Sequence, residues 1–564
     1  MKARRFLPLL PMITLLAMIG PVLAGLYGAV LPAFGHLPAA GLFGPSLAPF
    51  EALFAWQGLP RAMFLSVWIG LASTTISLLI VALIMAGWSG TRSFTVLERM
   101  LSPLLSVPHA AAAFGFAFLI SPSGWISRAL SPSVTGWDRP PDLLIVQDPW
   151  GLSMIAGLVI KEVPFLMLIA LAAIGQVDTK RSAMIVQALG YRRLTGWLKT
   201  VFPLVYAQIK FPIYVVLVYA MSVVDVAVIL GPNTPSTLSV QIVKLMSDPD
   251  LGMRLQAAAG ALVQLFLVIG ALGFWLIMER VVRRFGLAWI GTGQRGKYDT
   301  ITRQIGLVLA LFCAFSVSFG IASLAIWSFA GYWGFPDFLP DQFILKNWMR
   351  HSDGILEALG ETVLIGSVAT LTALALTIGC LEAEYRYKLR VTSRGMLLLY
   401  LPLLVPQTAF LPGLQTLMLN VGLGVGRGPV IFAHLVFVLP YVFLSLADPF
   451  RAWDARMGTI AAALRASPDR VLWSVRLPML LRPILTAAAV GLAVSVGQYL
   501  PTLLIGGGRI ETLTTEAVAL ASGGDRRAIG VYGLMQTAAA LVPFSLALLI
   551  PAIVWRNRRG LRHG

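Results

Sequence analysis

The residues best suited to chemistry in this 564-residue chain are polar side chains within long apolar runs. Lys161 and Glu162 lie in the fourth predicted membrane span, and Asp225 lies in the fifth. A charge at membrane depth costs roughly 2.5–3.5 kcal/mol on insertion scales, so such residues commonly mark a pathway. Gln498 and Tyr499 fall near the level of Asp225 when the second half is aligned with the first. We predict that these five residues lie near a translocation pathway.

The nature of a transported solute stays open at this point. Asp225 suits a cationic group, whereas Lys161 suits an anionic one, so the two charges do not decide between them. Neighbouring residues point to different faces of a helix, so Lys161 and Glu162 need not form an internal ion pair. The alternative is that these polar residues serve helix–helix hydrogen bonding or extend toward the membrane surface.

No group of residues predicts an enzyme or a metal centre. His109 and His434 lie in or near apolar spans without clustered carboxylates or thiols, so we expect both to be structural. The two cysteines, Cys313 and Cys380, also lie in apolar spans and indicate neither a disulfide framework nor a metal site. A membrane-embedded enzyme would need catalytic carboxylates or histidines near the interface. We therefore expect no catalytic residue, no metal and no cofactor in this chain.

Long apolar helices are the elements that must position these residues. The chain is 57% hydrophobic and 12% charged, with a mean hydropathy of +0.81, whereas soluble domains carry about 25% charged residues. Runs of about 20 apolar residues can cross a bilayer as helices. We predict an all-α membrane protein with about twelve spans. They lie near 7–31, 64–88, 98–120, 150–175, 206–230, 257–279, 305–329, 359–380, 395–420, 429–449, 480–505 and 530–554.

Membrane topology, rather than nucleic-acid binding, explains the basic character of the chain. Its formal net charge is +18, and Lys and Arg concentrate in the loops that are cytoplasmic if both termini are cytoplasmic. No basic patch interleaves with aromatic residues on a soluble domain, so nucleic acid is not an expected partner. Residues 1–5 and the apolar run after them imitate a secretory signal. That run continues beyond Ala24 and predicts an uncleaved first helix.

The second half of the sequence repeats the first. A shift of 275 residues matches Ala188 with Ala463, Pro203 with Pro478, Gly231 with Gly506, Thr237-Leu238 with Thr512-Leu513, and Asp250 with Asp525. Such a duplication predicts two parallel six-helix bundles, related by a pseudo-two-fold axis, with a pathway at their junction. We predict a first repeat at 1–279, a flexible cytoplasmic linker at 280–304 and a second repeat at 305–564.

One long cytoplasmic loop occupies the same place in each repeat. The loops at 177–203 and 450–479 each read as an amphipathic helix, a turn, a basic and apolar helix, and a Pro at the next span. Gly190 suits a helix stop with positive φ, while Pro203 and Pro478 predict rigid junctions with the membrane helices. Such a helix can lie in a groove on another protein and transmit motion. The alternative is an ordinary amphipathic helix on the membrane surface.

These loops resemble the EAA loops of ABC-importer permeases. In that pattern Glu-Ala-Ala precedes a Gly, and a Pro closes the loop thirteen residues after the Gly, as in Gly190 to Pro203 and Arg465 to Pro478. Met184 and Thr459 stand at the Glu positions, and Arg465 replaces the second Gly. The missing carboxylates remove a specific charge contact, while helical docking can persist. The resemblance assigns ATPase coupling to Met184, Ala188, Gly190, Pro203, Thr459, Ala462, Arg465 and Pro478.

The resemblance covers nearly the whole chain twice, as in the class with two permease domains fused in tandem. That class includes ferric-iron, thiamine and putative-thiamine permeases of the bacterial inner membrane. It implies a type I importer with two copies of a cytoplasmic ABC ATPase and an extracytoplasmic solute-binding protein. The chain has no Gly-rich loop ending in Gly-Lys-Ser/Thr, so ATP and Mg²⁺ are expected on the partner ATPase.

A secondary transporter with two six-helix halves, driven by an ion gradient, is the strongest competing hypothesis. It predicts acidic residues within the membrane that form a coupling site, and it needs no ATPase. It does not account for the helix–turn–helix–Pro loop that occurs once in each half.

Overall fold

The computed structural model describes residues 6–38, 41–389 and 393–556. Apart from two isolated β-bridges, this part of the chain is helical or irregular. Ten of its helices are long and apolar enough to cross a membrane, or up to eleven spans if a bent pair is included. The prediction of an all-α membrane protein is therefore confirmed. Residues 1–5, part of the segment that imitates a secretory signal, lie outside the described residues.

In the described residues, the two halves have the same succession of long and short helices, apart from α6 in the first half and α22 in the second. The helices of the first half are α1 (Leu10–Ala33), α2 (Ala48–Ala55), α3 (Leu59–Trp88), α4 (Arg92–Leu104), α5 (His109–Ile120), α6 (Trp125–Leu130), α7 (Leu152–Ile174), α8 (Thr179–Ala188), α9 (Arg193–Thr200), α10 (Phe202–Ser222), α11 (Asp225–Leu230), α12 (Leu238–Met246) and α13 (Gly252–Gly291). Those of the second half are α14 (Asp299–Phe329), α15 (Lys346–Arg350), α16 (Ser352–Tyr387), α17 (Ser393–Leu404), α18 (Gln407–Asn420), α19 (Arg427–Arg451), α20 (Ala455–Ala463), α21 (Pro468–Val471), α22 (Leu477–Met479), α23 (Leu481–Val496), α24 (Leu500–Ile505), α25 (Leu513–Ala521) and α26 (Arg526–Val554).

Three predicted spans are interrupted, and two of them, 395–420 and 480–505, are not among the ten candidate spans. The third, 98–120, is represented by a candidate span at His109–Leu130, which combines α5 and α6. The region 395–420 is divided into α17 and α18, which have 12 and 14 residues. Pro406 has no amide hydrogen and disfavours a helical residue before it, so α17 ends there. Pro108 divides the region 98–120 in the same way into α4 and α5. The region 480–505 is α23 followed by a break and α24.

The first long helix of each half packs against the other half. A Cβ added to Gly25 of α1 would lie 2.3 Å from the carbonyl oxygen of Phe410 in α18. α14 meets α5 in the same way, since a Cβ on Gly115 would lie 2.6 Å from the carbonyl carbon of Gly320. Small residues that allow such close backbone approach are typical of helix packing in membranes. The two halves are therefore interlocked.

Matched hydrogen bonds show that the repeat in sequence is also present in the structure. The Ser66 hydroxyl on α3 accepts a hydrogen bond from the backbone N–H of Leu238, the first residue of α12, at 3.1 Å. In the second half, the Thr362 hydroxyl on α16 accepts one from Leu513, the first residue of α25, at 3.0 Å. Each hydroxyl satisfies one of the N–H groups that a helix start leaves free.

Most of the predicted linker at 280–304 is helical, and the division of the chain into two repeats joined there stays a prediction. α13 continues to Gly291 and α14 begins at Asp299, which leaves only 292–298 irregular. The glycines that suggested flexibility lie at or beyond the end of α13, where they do not interrupt it. With 40 residues, α13 is about 60 Å long. It therefore exceeds the thickness of a bilayer, roughly 40–45 Å with headgroups.

Candidate functional site

A cavity of about 380 Å³ lies between the two halves. Its volume is within the range of about 300–1,000 Å³ that is usual for small-molecule sites. The structure brings together all five residues that we predicted to lie near a pathway. The cavity wall contains Lys161, Glu162, Asp225, Gln498 and Tyr499. Their roles in transport stay predictions.

Four interruptions of helices form much of the cavity wall. α4 ends at Leu104 and α5 begins at His109, and a matched break precedes Gln407 of α18. α10 ends at Ser222 and α11 begins at Asp225, and a matched break separates α23 from α24. Irregular backbone at membrane depth is tolerated only where it lines a cavity or is buried in protein. The breaks are therefore suited to the wall of a polar passage.

Lys161 is bound to one of these breaks. Its ammonium nitrogen Nζ donates hydrogen bonds to the carbonyl oxygens of Leu104 and Leu105, each at 2.8 Å. These carbonyls belong to the C-terminal end of α4, where the helix supplies no N–H partner and its dipole favours a cation. Two of the three ammonium donors are thus occupied. Lys161 is poorly placed to bind an anionic solute.

The two carboxylates of the cavity have few partners of their own. Glu162 is 4% exposed, and its Oε1 lies 3.7 Å from Nε2 of His109. The ring of His109 packs against that of Tyr219, with 4.8 Å between centroids. Asp225 is 7% exposed, and its carboxylate interacts with the backbone N–H groups of Asp225 and Val226 and, electrostatically, with His109. Both carboxylates can therefore accept hydrogen bonds from a solute.

All charged or titratable groups of the cavity wall other than tyrosines come from the first half. α18 begins with Gln407 where α5 begins with His109, and α24 begins with Leu500 where α11 begins with Asp225. The second half contributes uncharged polar and aromatic side chains, among them Tyr441, Ser445, Gln498 and Tyr499. The repeat therefore supplies a symmetric frame around a cavity whose charge is asymmetric.

The other histidine and the cysteines have the surroundings of structural residues. The His434 ring nitrogens lie 2.7 Å from the Ser495 hydroxyl and 2.9 Å from the Thr502 hydroxyl, so the ring joins α19 to α23 and α24. Cys313 is buried and Cys380 is partly buried, and both are free thiols. Among the residues that the structure describes, no group of three or more His, Cys, Asp or Glu side chains could hold a metal ion.

The loop at 177–203, the first elbow, has the predicted helix–turn–helix form. α8 ends at Ala188, and Gly190 follows with a φ of +74°. Only glycine adopts this left-handed conformation without a steric penalty, so the predicted helix stop is present. Pro203 is the second residue of α10, where a missing amide hydrogen costs little because the first turn has no helical partner for it.

The loop at 450–479, the second elbow, has the same form with two local differences. Arg465 has a φ of +61°, the same left-handed conformation as the matched Gly190. The second helix of this elbow is α21, followed by a π-helical turn at Leu472–Arg476 and by α22. Pro478 lies in α22, which precedes a bend of 75° into α23. The junction with the membrane helix is therefore a sharp bend.

Arg465→Gly should raise the thermal stability of the protein. A left-handed non-glycine residue costs about 1–2 kcal/mol, and the greater freedom of glycine in the unfolded chain offsets about 0.5–1 kcal/mol of the gain. We expect a net stabilisation of about 0.5–1 kcal/mol, measured by thermal unfolding in detergent. Arg465→Ala removes the same charge but keeps the strain, so it serves as the control. An equal gain from Arg465→Ala would contradict this explanation.

The outward faces of the two elbows are apolar and exposed. Met184 on α8 is 64% exposed, and Leu464 at the end of α20 is 79% exposed. Ala188, Thr459 and Ala462, which were predicted to couple to an ATPase, are also exposed. Exposed apolar patches bordered by charge commonly mark sites of protein interaction. Both elbows therefore present the kind of surface that a partner protein can cover.

The two elbows lie at the same end of the helix bundle. Thr195 of the first elbow contacts Asp299 at the start of α14, and Asp469 of the second contacts Arg386 at the end of α16. α14 and α16 are consecutive candidate membrane spans, separated only by the short helix α15. Two crossings return the chain to the end where α14 began. A partner complex on one side of the membrane can therefore reach both elbows.

Comparison with known proteins agrees with this arrangement. The chain is 31% identical over 558 residues to the inner membrane ABC transporter permease protein YnjC of Escherichia coli (strain K12), covering 97% of this chain and 98% of that protein. The chain belongs to the ABC transporter permeases. No protein-family model matches it. The permease is thus a multi-pass inner-membrane subunit of a binding-protein-dependent ABC importer, and ATP hydrolysis takes place on a separate ATPase.

Shorter relatives match only part of the permease. The spermidine/putrescine transport system permease protein PotC of Haemophilus influenzae is 25% identical over 209 residues, which are 36% of this chain and 79% of PotC. The molybdenum transport system permease protein ModB of Azotobacter vinelandii is 31% identical over 187 residues, or 30% of this chain and 82% of ModB. Single-domain relatives of this length are consistent with two permease domains fused in one chain. No cofactor is expected in a chain of this family.

Sequence reasoning missed the residue that anchors the second elbow of the permease. Arg476 is 2% exposed, and its Nη1 donates to Oε2 of Glu382 at 2.6 Å. Its guanidinium carbon lies 3.7 Å from the ring centroid of Tyr385 and 4.1 Å from that of Trp453. An arginine that is paired and stacked on aromatic rings can be buried in this way. Glu382, an acidic residue at the end of an apolar span, was the available signal.

Proposed function

We propose that the permease imports a small organic cation through the cavity between its halves. The observation that carries this proposal is the pair of buried carboxylates, Asp225 and Glu162, in a cavity where the ammonium of Lys161 is held by helix carbonyls. The wall thus contains two carboxylates, one ammonium and the imidazole of His109. At each break a helix C-terminus lies next to a helix N-terminus, so the helix dipoles largely offset one another. This balance favours a solute with a positive charge.

Aromatic side chains narrow the class of solute further. Tyr219, Tyr441 and Tyr499 line the same cavity, and their ring faces can attract a cation. Of the two solutes that the family resemblance favours, a thiamine-like cation suits this wall better than ferric iron. In the described residues, no cluster of ligands for a metal ion is present, and a cavity of about 380 Å³ has room for an organic molecule. A polyamine, the solute named for PotC, would also suit the charge.

The proposed mechanism couples the elbows to the cavity. Two copies of a cytoplasmic ABC ATPase dock on the exposed faces at 184–203 and 459–478, and a solute-binding protein delivers solute from the opposite side. ATP binding draws the elbows together, and the repeats at 1–279 and 305–564 rock to alternate access. The position of both elbows at one end of the bundle supports this proposal. It requires that this end and both termini be cytoplasmic.

Copurification and uptake together test the proposal. The tagged permease, expressed with its cognate ATPase and solute-binding protein, should retain the ATPase through purification. Reconstituted into vesicles, the complex should take up thiamine only with ATP and the loaded binding protein. Proton-driven uptake by the permease alone would support the secondary transporter instead. Uptake of sulfate in preference to organic cations would contradict the assignment of the cavity.

A further inference from the structure

We propose that Asp299 is a positioning residue that clamps the first elbow to the first helix of the second half, so that motion of this elbow is transmitted directly across the two halves. This inference rests on the proposed docking of an ATPase at the elbows. It concerns the chain that joins the halves, which a pair of separate permease subunits would not possess.

The clamp consists of two hydrogen bonds in a buried contact. Oδ2 of Asp299 accepts one from the backbone N–H of Thr195 at 3.1 Å, and Oδ1 accepts one from the Thr195 hydroxyl at 2.5 Å. Asp299 is 8% exposed and Thr195 is 4% exposed. Thr195 is the third residue of α9, so the carboxylate caps the start of this helix.

A reciprocal contact binds the elbow to the end of α13. The ammonium of Lys199 donates to the carbonyl oxygens of Trp289 at 3.0 Å and Gln294 at 3.1 Å. It also lies 4.7 Å from the ring centroid of Trp289. A cation from the elbow therefore caps the C-terminal end of α13, and an anion from α14 caps the N-terminal end of α9. The backbone N–H of Arg192 donates to the carbonyl of Arg295 between these two contacts, at 3.1 Å.

The second elbow is capped locally instead. The residue matched to Thr195 is Arg470, whose backbone N–H donates to the hydroxyl of Ser467 at 3.2 Å. Ser467 is the N-cap of α21 itself. In the first elbow, the N-cap Arg192 makes no side-chain cap. The N-terminus of α21 is thus capped by Ser467, which lies in the same elbow. The N-terminus of α9 is capped by Asp299, which lies 104 positions after Thr195.

The clamp leads from the elbow to the cavity through rigid contacts. α14 begins with Asp299, and its close contact with α5 lies at Gly320 and Gly115. α5 begins with His109, whose ring nitrogen lies beside Glu162 in the cavity wall. α14 also packs against α26 of the second half. Motion of α9 can therefore reach both halves through one helix.

One glycine in the connection is required for the clamp. A Cβ on Gly296 would lie 2.1 Å from Oδ1 of Asp299 and 2.2 Å from the Thr195 hydroxyl. Gly296 and Gly293 both have positive φ, +91° and +67°, but a Cβ on Gly293 would meet no atom within 4 Å. Gly293→Ala is therefore a matched control, because it adds the same methyl group at a left-handed position without displacing the clamp.

The test measures how ATP changes access to the cavity, which needs no knowledge of the solute. A reporter cysteine, Ser445→Cys, is placed in the cavity wall after the two native cysteines are replaced by Ala. The rate of its labelling by a membrane-impermeant maleimide is measured in the reconstituted complex with and without ATP. Gly296→Ala and Asp299→Ala should each reduce the ATP-dependent change about tenfold, while ATPase copurification is retained. Gly293→Ala should keep the full change.

A further variant separates transmission from simple helix capping. Arg192→Ser gives α9 a local cap of the kind that Ser467 provides in the second elbow. Added to Asp299→Ala, it should not restore the ATP-dependent change in labelling. Full restoration, or equal responses from Gly296→Ala and Gly293→Ala, would overturn the inference. If the parent complex, without these substitutions, did not retain the ATPase and showed no change in labelling with ATP, the proposed function would be overturned instead.

Discussion

Asp225→Asn is expected to lower ATP-dependent uptake of thiamine at limiting concentration by roughly 30- to 150-fold, or about 2–3 kcal/mol. The substitution keeps the shape of the side chain and removes its charge. The carboxylate lies in the cavity wall, where it interacts with nearby backbone N–H groups and with His109 and can also bind a cationic solute. The measurement is the initial rate of uptake by the reconstituted complex.

Two further variants serve as a control and a comparison for Asp225→Asn. Asp142→Asn removes a carboxylate from an exposed loop and should leave uptake unchanged. Glu162→Gln should have a smaller effect than Asp225→Asn, because His109 already lies 3.7 Å from the Glu162 carboxylate. Unchanged uptake in Asp225→Asn at limiting thiamine would remove this residue from the pathway.

Ala462→Glu is expected to abolish the link between ATP hydrolysis and uptake. Ala462 is exposed on α20, so the permease should fold normally. Docking of the ATPase would bury the new carboxylate without a partner, which costs about 2–5 kcal/mol. We expect the ATPase to be lost on purification, or to hydrolyse ATP with less than about a tenth of the normal uptake.

The control for this experiment lies at the same end of the bundle. Ala288→Glu adds the same carboxylate at an exposed position of α13, outside both elbows. It should leave copurification and uptake near their normal values. A bulky charged residue at both Ala462 and Gly190 that still permits normal uptake would count against docking at the elbows.

Much of the fold could be predicted because apolar runs and helix-ending residues such as glycine are local signals in the sequence. Runs of about 20 apolar residues gave the spans, and Gly190 gave a true helix stop. The division of 395–420 at Pro406 could not be predicted as firmly, because a membrane helix can also accommodate proline with a kink. The left-handed conformation of Arg465 follows from the repeat rather than from its residue type.

The sequence was sufficient to predict which residues form the candidate site, but not the long-range hydrogen bonds that they and their surroundings make. Lys161, Glu162 and Asp225 could be identified because a charged side chain within an apolar span is costly to desolvate and is therefore usually functional. The hydrogen bonds by which Lys161 caps the C-terminal end of α4 depend on tertiary structure, since their acceptors lie 56 and 57 residues away in sequence. The contact of Asp299 with Thr195 spans 104 residues and involves residue types that are ordinary on a protein surface. Such long-range pairs leave no periodic pattern in the sequence.

The exchange of first helices between the halves has a consequence for biosynthesis. α1 ends at Ala33 and α18 begins at Gln407, so about 370 residues are made after α1 before its partner emerges. At about 5–20 residues per second, this takes roughly 20–75 s. During that interval the glycine face of α1 is open to lipid or to an insertion chaperone. α1 also packs against α13 and α16, which are made earlier. Biogenesis therefore requires that the face of α1 that contacts α18 stay without its partner until α18 has left the ribosome.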